Sequence, residues 1–476
     1  MKILYIGGEA VPFVSTGGLG DVLGSLPAAI KKADGENDVR VVIPLHAKIS
    51  QFWREKMTVA ASFDLHLSWR VQHAEVMQLE KDGVIYYFIG NDYYFNRGNV
   101  YGEYDDGERY AFFCKAAVEM LPRIGFTPDL LHANDWQSAL SIIYLRKQQN
   151  YPNTRTVYTI HNIEYQGKFP KEIIGDVFSL WDTDLPDLEY NGCINLTKGA
   201  IVCCDKLTTV SQRYSEEIRT PYYAYGLADI ISAYSGKCCG IINGIDTDYY
   251  NPMTDSVMTG KHYSATYKTY AGKADNKAKL QEELGLPVDP DKPLIAMVTR
   301  LVPPKGLDLV RAMLGEIMQG ESQFVVLGTG EYDYEDFFRR LEGYYPDKVR
   351  ALIKFDKDMS RRIYAGADIF LMPSQSEPCG LSQMIACRYG AVPVVRETGG
   401  LYDTIRAFDP TTGEGNGVTF YAFNPYEMKD AVGRALKLYY DKPLWKKLVK
   451  NAMNSDFSWG ASAEKYIGLY RSMFGA

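Results

Sequence analysis

Two stretches of the chain place glycine beside ionisable or hydroxyl side chains where a strand pattern gives way to a helix pattern. The first is Ser15-Thr16-Gly17-Gly18-Leu19-Gly20-Asp21. Glycines there let the backbone approach a ligand, and an opening helix aims unpaired N–H groups and partial positive charge at it, which suits a diphosphate. A tight turn with Asp21 capping the helix explains the same residues. The second is Thr299-Arg300-Leu301-Val302-Pro303-Pro304-Lys305-Gly306-Leu307-Asp308, where Arg300 and Lys305 sit beside another helix start and can neutralise a leaving diphosphate without a metal. Solvated surface cations are the plain alternative. In Pro373-Ser374-Gln375-Ser376-Glu377-Pro378-Cys379-Gly380-Leu381, Glu377 is a candidate to hold sugar hydroxyls, and Thr398-Gly399-Gly400-Leu401 repeats Thr16-Gly17-Gly18-Leu19. His132-Ala133-Asn134-Asp135-Trp136 and Thr159-Ile160-His161-Asn162 each end a predicted strand. A lone histidine is often structural, but His161 falls where ligands of such sheets collect.

Other phosphate chemistries fit poorly. Counting from Gly18-Leu19-Gly20, the sixth position of a dinucleotide fingerprint is Leu23, and the next strand pattern runs into Leu45-His46 without an acid for a ribose. No Walker A sequence occurs. A nicotinamide dehydrogenase and an ordinary ATPase are both disfavoured.

The elements that must position these residues alternate along almost the whole chain. Strand patterns at 2–8, 39–44, 84–89, 130–133, 156–160, 207–210 and 240–242 are joined by helical patterns including 22–33, 110–123 and 138–148. The series restarts with strands at 294–298, 323–327, 352–355, 369–372 and 392–395, separated by helices at 307–318, 332–344 and 381–389. This is the α/β pattern of parallel sheets. A polar stretch at 243–273 lies between the series, and a last helical segment, 461–474, follows the final strand pattern. The expected organisation is an N-terminal domain over 1–242, a C-terminal domain over 243–456, and a terminal segment over 457–476. Two doubly wound sheets bind ligands at the carboxyl ends of their strands, so two such domains would face each other across a deep cleft.

Composition narrows the class. In 476 residues, 52 Lys+Arg against 59 Asp+Glu leave a formal charge of −7, which offers no general attraction for nucleic acid or anionic lipid. Hydrophobic residues at 46% and charged residues at 23% match a globular chain rather than a disordered one. The eight cysteines form no C-x-x-C pair, and Cys203-Cys204 and Cys238-Cys239 read as reduced core thiols. Glu9 interrupts the apolar start before a signal peptide could develop, and no uncharged run approaches the ~18 residues of a membrane span. The expected compartment is the cytoplasm. Thirty-six tyrosines, many in doublets, could stack on sugars or simply reflect compositional habit.

Taken together, the motifs resemble those of the bacterial glycogen and starch synthases, retaining glycosyltransferases of the two-domain GT-B fold. The resemblance runs through Glu9, Pro12, Gly17-Gly18-Leu19 with Asp21-Val22, His132 with Asp135-Trp136, and His161-Asn162 with Tyr165-Gln166-Gly167. It continues through Lys198-Gly199-Ala200, Asn243-Gly244 with Asp246, Arg300-Leu301 with Lys305-Gly306-Leu307-Asp308, Glu377-Pro378-Cys379-Gly380-Leu381, Thr398-Gly399-Gly400-Leu401 and Asp456-Phe457-Ser458-Trp459. It implies transfer of glucose from ADP-glucose to the non-reducing end of an α-1,4-glucan, with no metal and no organic cofactor. It also implies site roles. Arg300 and Lys305 would bind the diphosphate, helped by N–H groups around Gly17 and Gly18. Glu377 with Cys379-Gly380-Leu381 would hold the glucose, His161 would lie beside its reacting carbon, and Glu9, Asp135 and Asn162 would order that wall. Asn243 would contact the sugar across the cleft, Phe355 would stack on the base, and Asp21 and Thr398-Gly399-Gly400 would line the donor. The terminal helix would return to the first domain. Ser15 stands where the family usually has lysine, and a hydroxyl cannot deliver that cation. Two alternatives therefore stay open: a UDP-glucose-dependent enzyme, and a glucan-binding protein of this fold that has lost turnover.

Overall fold

Strand β1 (Lys2–Ile6) buries every residue after Lys2. Burial on both faces marks a strand inside a parallel sheet with helices on either side. The computed structural model describes residues 1–148, 151–266 and 270–475, so residues 267–269 of the polar stretch lie outside the described residues. The chain forms two compact units, one of residues 1–244 and 459–476, the other of residues 245–458.

The first unit adds β2 (Asp38–Pro44), β3 (Thr58–Leu67), β4 (Arg70–Lys81), β5 (Val84–Gly90), β6 (Leu130–Asn134) and β7 (Arg155–Ile160). The short β8 (Lys168–Phe169), β9 (Glu189–Tyr190) and β10 (Cys193–Asn195) form a separate antiparallel sheet, and β11 (Lys206–Thr209) and β12 (Cys238–Gly240) return to the main one. The main sheet has the order β12-β11-β7-β6-β1-β2-β5-β4-β3. From β12 to β5 all neighbours are parallel, while β4 pairs antiparallel with both β5 and β3. The chain builds outward from β1 on one side, then resumes at β6 on the other. That reversal leaves a crevice at the carboxyl ends of β1 and β6, the place where such sheets bind ligands.

The second unit repeats the plan with β13 (Leu294–Val298), β14 (Gln323–Leu327), β15 (Val349–Leu352), β16 (Ile369–Met372), β17 (Val392–Arg396) and β18 (Val418–Phe420), in the order β15-β14-β13-β16-β17-β18. Every pair is parallel, and the reversal falls between β13 and β16. The strand expected over 352–355 is displaced: β15 ends at Leu352, Lys354 N turns back to Leu352 O, and Asp356 caps the next helix by accepting from Met359 N at 2.9 Å. The last parallel strand of the first unit is likewise Cys238–Gly240 instead of 240–242. No helix among the described residues is long and apolar enough to cross a membrane. All eight cysteines are free thiols.

The terminal helix Trp459–Ser472 belongs to the first unit, where Trp459, Ala463, Tyr466, Ile467 and Tyr470 join the core formed with Leu23, Leu26 and Ile30. A buried polar chain fixes it. Tyr470 Oη lies 2.7 Å from Tyr5 Oη and 2.7 Å from His132 Nδ1, His132 Nε2 lies 2.5 Å from Thr159 Oγ1, and that hydroxyl lies 2.5 Å from Thr208 Oγ1. The chain ties β1, β6, β7 and β11 to one helix, and every member is satisfied in an interior that would penalise an unpaired group. His132 is therefore structural.

Burial, together with the neighbouring His161, lowers the His132 pKa to about 3. Below the ordinary histidine value of about 6.5 the unfolded chain gains a proton that the folded chain refuses. His132 thus removes stability as pH falls from about 6.5 towards 3, with a slope of up to about 1.4 kcal/mol per pH unit. Urea unfolding at pH 7, 6 and 5 should show a shallower acid slope for His132→Gln than for the parent, whatever their absolute difference at pH 7. Parallel slopes would contradict the neutral buried histidine.

Candidate functional site

Each reversal of strand order carries a cluster of the residues singled out in the sequence. In the first unit, the loop after β1 folds onto the helix Gly18–Ala33. Glu9 is the anchor: Oε2 accepts from Thr16 N at 2.6 Å and Thr16 Oγ1 at 2.7 Å, and Oε1 accepts from Gly17 N at 3.2 Å and Gly20 N at 3.1 Å. The helix begins at Gly18, earlier than the expected 22, with Gly17 in the N-cap position and Asp21 within the first turn. Asp21 is therefore not the N-cap residue. Glu9, from upstream, satisfies the orphan donors that a capping side chain normally would. Burial raises the Glu9 pKa, opposed by the donors from Thr16, Gly20 and Gly17. Ser15 donates to Gly17 O at 3.1 Å, and its Cβ lies where a side chain on Gly20 would meet it at 2.7 Å. Gly18 faces open space, so its missing side chain leaves room at the helix start.

Across the reversal, Asp135 begins the helix Trp136–Lys147 with φ 57° and ψ 176°, a conformation that is costly for a residue with a Cβ. Its Oδ1 accepts from His161 N at 2.8 Å, and the backbone N–H of Asn162 also reaches the carboxyl. Burial pushes this carboxyl up to about 7 against those two donors. His161 Nε2 lies 3.0 Å from Asn134 Oδ1. Asn134 Nδ2 already donates to Ile6 O and His132 O, so the amide oxygen must accept and Nε2 must carry the proton. Burial lowers the His161 pKa to about 3, so at neutral pH the ring is uncharged and keeps Nδ1 as an acceptor. Asn162 Oδ1 accepts from Glu164 N at 3.0 Å. Asn243, also in this unit, is buried, and its Oδ1 has no hydrogen-bond partner among the described residues.

In the second unit the cluster lies at the ends of β13 and β16. Lys305 Nζ donates to both oxygens of Glu377, at 2.9 and 2.7 Å, and Ser374 Oγ donates to Oε2 at 3.1 Å. The glutamate side chain is 8% exposed and the lysine 20%. Arg300 is exposed, and its guanidinium makes no hydrogen bond or ion pair among the described residues. Its loop is pinned by Leu301 N to Thr329 O and Glu331 N to Leu301 O, both 2.8 Å. Gln383 secures the Cys379-Gly380 turn by donating to both carbonyls, at 3.0 and 2.8 Å, and Leu381 precedes the helix Ser382–Arg388. Thr398 is buried ahead of the helix Gly399–Thr404. Phe355 stands apart, 81% exposed on the loop after β15.

The second glycine loop works by close approach. Gly399 has φ +45°, a Cβ there would fall 2.0 Å from Glu377 O, and one on Gly400 would fall 1.9 Å from Cys379 O. Gly400 N donates to Glu377 O at 3.0 Å. These glycines set where the Glu377 backbone sits, a role the tetrapeptide repeat did not reveal. Asn134, Ser374, Gln383 and the Gly328-Thr329-Gly330 loop were likewise not singled out. Asn134 had a signal in its place at a strand end beside Asp135, and the glycine loop in its place after β14. Ser374 and Gln383 act through contacts that no local spacing announces.

Gly399→Ala should lower stability by more than about 2 kcal/mol, since it combines a backbone clash with positive φ. Gly433, inside the helix Pro425–Tyr440, faces open space, so Gly433→Ala should raise stability by about 0.5–1 kcal/mol. Thermal unfolding of both variants checks the contrast, and equal effects would refute the packing role of Gly399.

Comparison with known proteins gives this geometry a family. The model of the starch synthase catalytic domain matches residues 2–233, and that of glycosyl transferases group 1 matches residues 279–455. The chain is 45% identical over 479 residues to a glycogen synthase of Bacillus cereus, covering 99% of this chain and 100% of that protein. It is 46% identical to glycogen synthases of Anoxybacillus flavithermus and Clostridium novyi, covering 99% of this chain and 97% and 99% of theirs. The catalytic domain of starch synthase IV from Arabidopsis thaliana, solved bound to ADP and acarbose, superposes with a TM-score of 0.89 at 33% identity, covering 100% of this chain and 99% of that one. A sucrose-phosphate synthase from Thermosynechococcus elongatus shares the fold at a TM-score of 0.61 and 17% identity, over 100% and 99% of the two chains. Two doubly wound sheets, each with a parallel core and a reversal of strand order, matched end to end at this level, place the chain in the family of glycogen and starch synthases, glycosyltransferases of the two-domain GT-B fold.

Proposed function

We propose that the protein uses ADP-glucose as donor and lengthens an α-1,4-glucan at its non-reducing end with retention of configuration. The observation that carries this reading is the grouping of Lys305, Glu377 and Ser374 at the reversal of the second sheet, with Arg300 uncompensated on the neighbouring strand end. The related starch synthase IV, solved with ADP and acarbose, supports both ligand classes. ADP is what remains of ADP-glucose after transfer.

In this reading the bond between the anomeric carbon and the diphosphate oxygen breaks as the acceptor's 4-hydroxyl oxygen bonds to that carbon on the same face. The hydroxyl proton passes to the departing diphosphate. Arg300 and Lys305 stabilise the charge that develops there, an electrostatic effect that is strongest when preorganised. Glu377 and the Cys379-Gly380-Leu381 turn hold the glucose, Phe355 stacks on the base, and Thr398-Gly399-Gly400 shape the donor side. From the first unit, Gly17, Gly18 and Asp21 serve the donor, with Ser15 in the place of the family's lysine. Glu9, Asp135 and Asn162 order the sugar wall, and Asn243 contacts the sugar. His161, neutral with an open Nδ1, offers an acceptor and no positive charge. The eight free thiols suit the reducing cytoplasm. One observation favours a second donor: Ser15 spends its hydroxyl on Gly17 O, so no side-chain charge comes from that position. UDP-glucose is therefore the comparison to make.

Initial rates with ADP-glucose and UDP-glucose on glycogen should favour ADP-glucose, with ADP released only when glucan is present. Arg300→Ala and Lys305→Ala should each lower kcat by more than about 100-fold while the protein still unfolds cooperatively. Parental turnover in either variant would refute its role, faster transfer from UDP-glucose would reassign the donor, and glucan retention without turnover would make the protein a binder.

A further inference from the structure

The β3–β4 hairpin carries a feature that the transfer reaction does not use. β4 pairs with β5 from Glu75 opposite Gly90 to Lys81 opposite Val84, so residues 70–74 run beyond the carboxyl end of β5. At about 3.4 Å per residue the five residues extend the hairpin ~17 Å past the carboxyl end of β5. Trp69 stands at this tip, 73% exposed. It is not a loose side chain: Nε1 donates to Asp176 Oδ1 at 2.6 Å, and the Arg70 guanidinium covers one face at 4.5 Å from the ring centroid. Arg70 is held in turn by Asp176 at 3.0 Å and Glu108 at 3.2 Å. The tip is docked where Ser68 N donates to Ser179 Oγ, and two residues further along that segment comes Trp181, 75% exposed. Its backbone is fixed by Asp184, whose Oδ2 accepts from Trp181 N at 3.0 Å.

We propose that Trp69 and Trp181 form an aromatic platform that holds an α-1,4-glucan chain away from the point of transfer. This inference rests on the reading that the acceptor is such a polymer. Exposed indoles in a deep groove would suit an apolar helix, but Trp69 stands on a projecting hairpin, and both indoles lie near carboxylates and hydroxyls. That setting suits a pyranose ring, which presents C–H groups to an aromatic face and hydroxyls to polar neighbours. The Trp69 indole is held before binding, so little of its side-chain freedom is lost, and the Trp181 backbone is already fixed. A polymer gripped at the platform keeps its other chain ends at high local concentration near the same rim, an effect a short acceptor cannot exploit.

The test compares the full-length parent with Trp69→Ala, Trp181→Ala and the double variant, using glycogen and maltotetraose as acceptors. The proposal expects KM for glycogen to rise about three- to tenfold in each single variant, with kcat and KM for maltotetraose unchanged and glycogen retention in native affinity gels reduced in step. Trp181→Ala removes no side-chain hydrogen bond described above, so it stands as the decisive variant if Trp69→Ala loosens the hairpin. Unchanged glycogen KM and retention in a stably folded Trp181→Ala would overturn the platform, as would retention lost only to a competing protein fraction and not to maltoheptaose. Tryptophan-dependent retention in a parent that transfers nothing to either acceptor would sustain the platform and refute the transfer reading instead.

Discussion

A lysine and a glutamate separated by 72 positions in the chain meet at the carboxyl ends of two adjacent strands, and much of the second unit is arranged around their contact. The Lys305–Glu377 pair is mostly enclosed. A buried pair of this kind gains little over an apolar contact, yet losing one partner leaves the other charge stranded at a cost of several kcal/mol, so the two side chains constrain each other's position. The neighbourhood enforces the same placement from the backbone side: Gly399 and Gly400 let their loop touch the Glu377–Cys379 segment, Arg396 donates to Ser374 O and Gln375 O, and Gln383 holds the following turn. The carboxyl ends of two central strands, where the sheet order reverses and the loops depart in opposite directions, have room for such convergence; a strand inside a continuous series does not.

The first unit solves the same geometric problem with different chemistry. At its reversal the carboxylates are engaged by backbone N–H groups, Glu9 by the loop at 16–20 and Asp135 by His161 and Asn162. Asp135 accepts an unfavourable backbone conformation to do so. The strain is sustained because β6 and β7, the Asn134 amide and the helix behind it over-determine the site. Beneath, the Tyr5–Tyr470–His132–Thr159–Thr208 chain ties the terminal helix to the strands that carry this rim. The last residues of the chain thus stabilise the position of residues near its start.

The sequence made some of this legible and hid the rest for physical reasons. β1, β6, β13 and β16 stood out because buried parallel strands are short apolar runs, and the glycine and cation motifs followed directly after them. The β3–β4 hairpin was missed: it lies at the sheet edge, alternates buried with exposed residues, and mixes polar side chains into both strands. Phe355 extended the apolar run Leu352–Ile353 on paper, but the backbone turned at Lys354, and Asp356 opened a helix. His132 and His161 stand at the ends of similar strand patterns in the sequence and read alike, but His132 lies inside β6 and His161 just beyond β7. One points into a satisfied interior and the other to the rim, a difference of side-chain direction that spacing along a strand cannot separate from burial. Glu9 was placed on the wall, but its capping of a helix nine residues onward depends on a fold-back that no periodicity encodes.

The charge distribution at the second unit's rim bears on the order of events in the proposed transfer. Before any donor arrives, Lys305 is already compensated by Glu377, whereas Arg300 is not compensated by any described residue. In the proposed transfer, an approaching diphosphate would be attracted first by the arginine, whose planar guanidinium matches phosphate oxygens in pairs. On the same proposal, sugar hydroxyls donating to Glu377 would give the carboxylate other partners and leave the lysine's field to the departing oxygen. Under that proposal, holding Lys305 on Glu377 until glucose engages the carboxylate would couple charge stabilisation to the presence of the sugar.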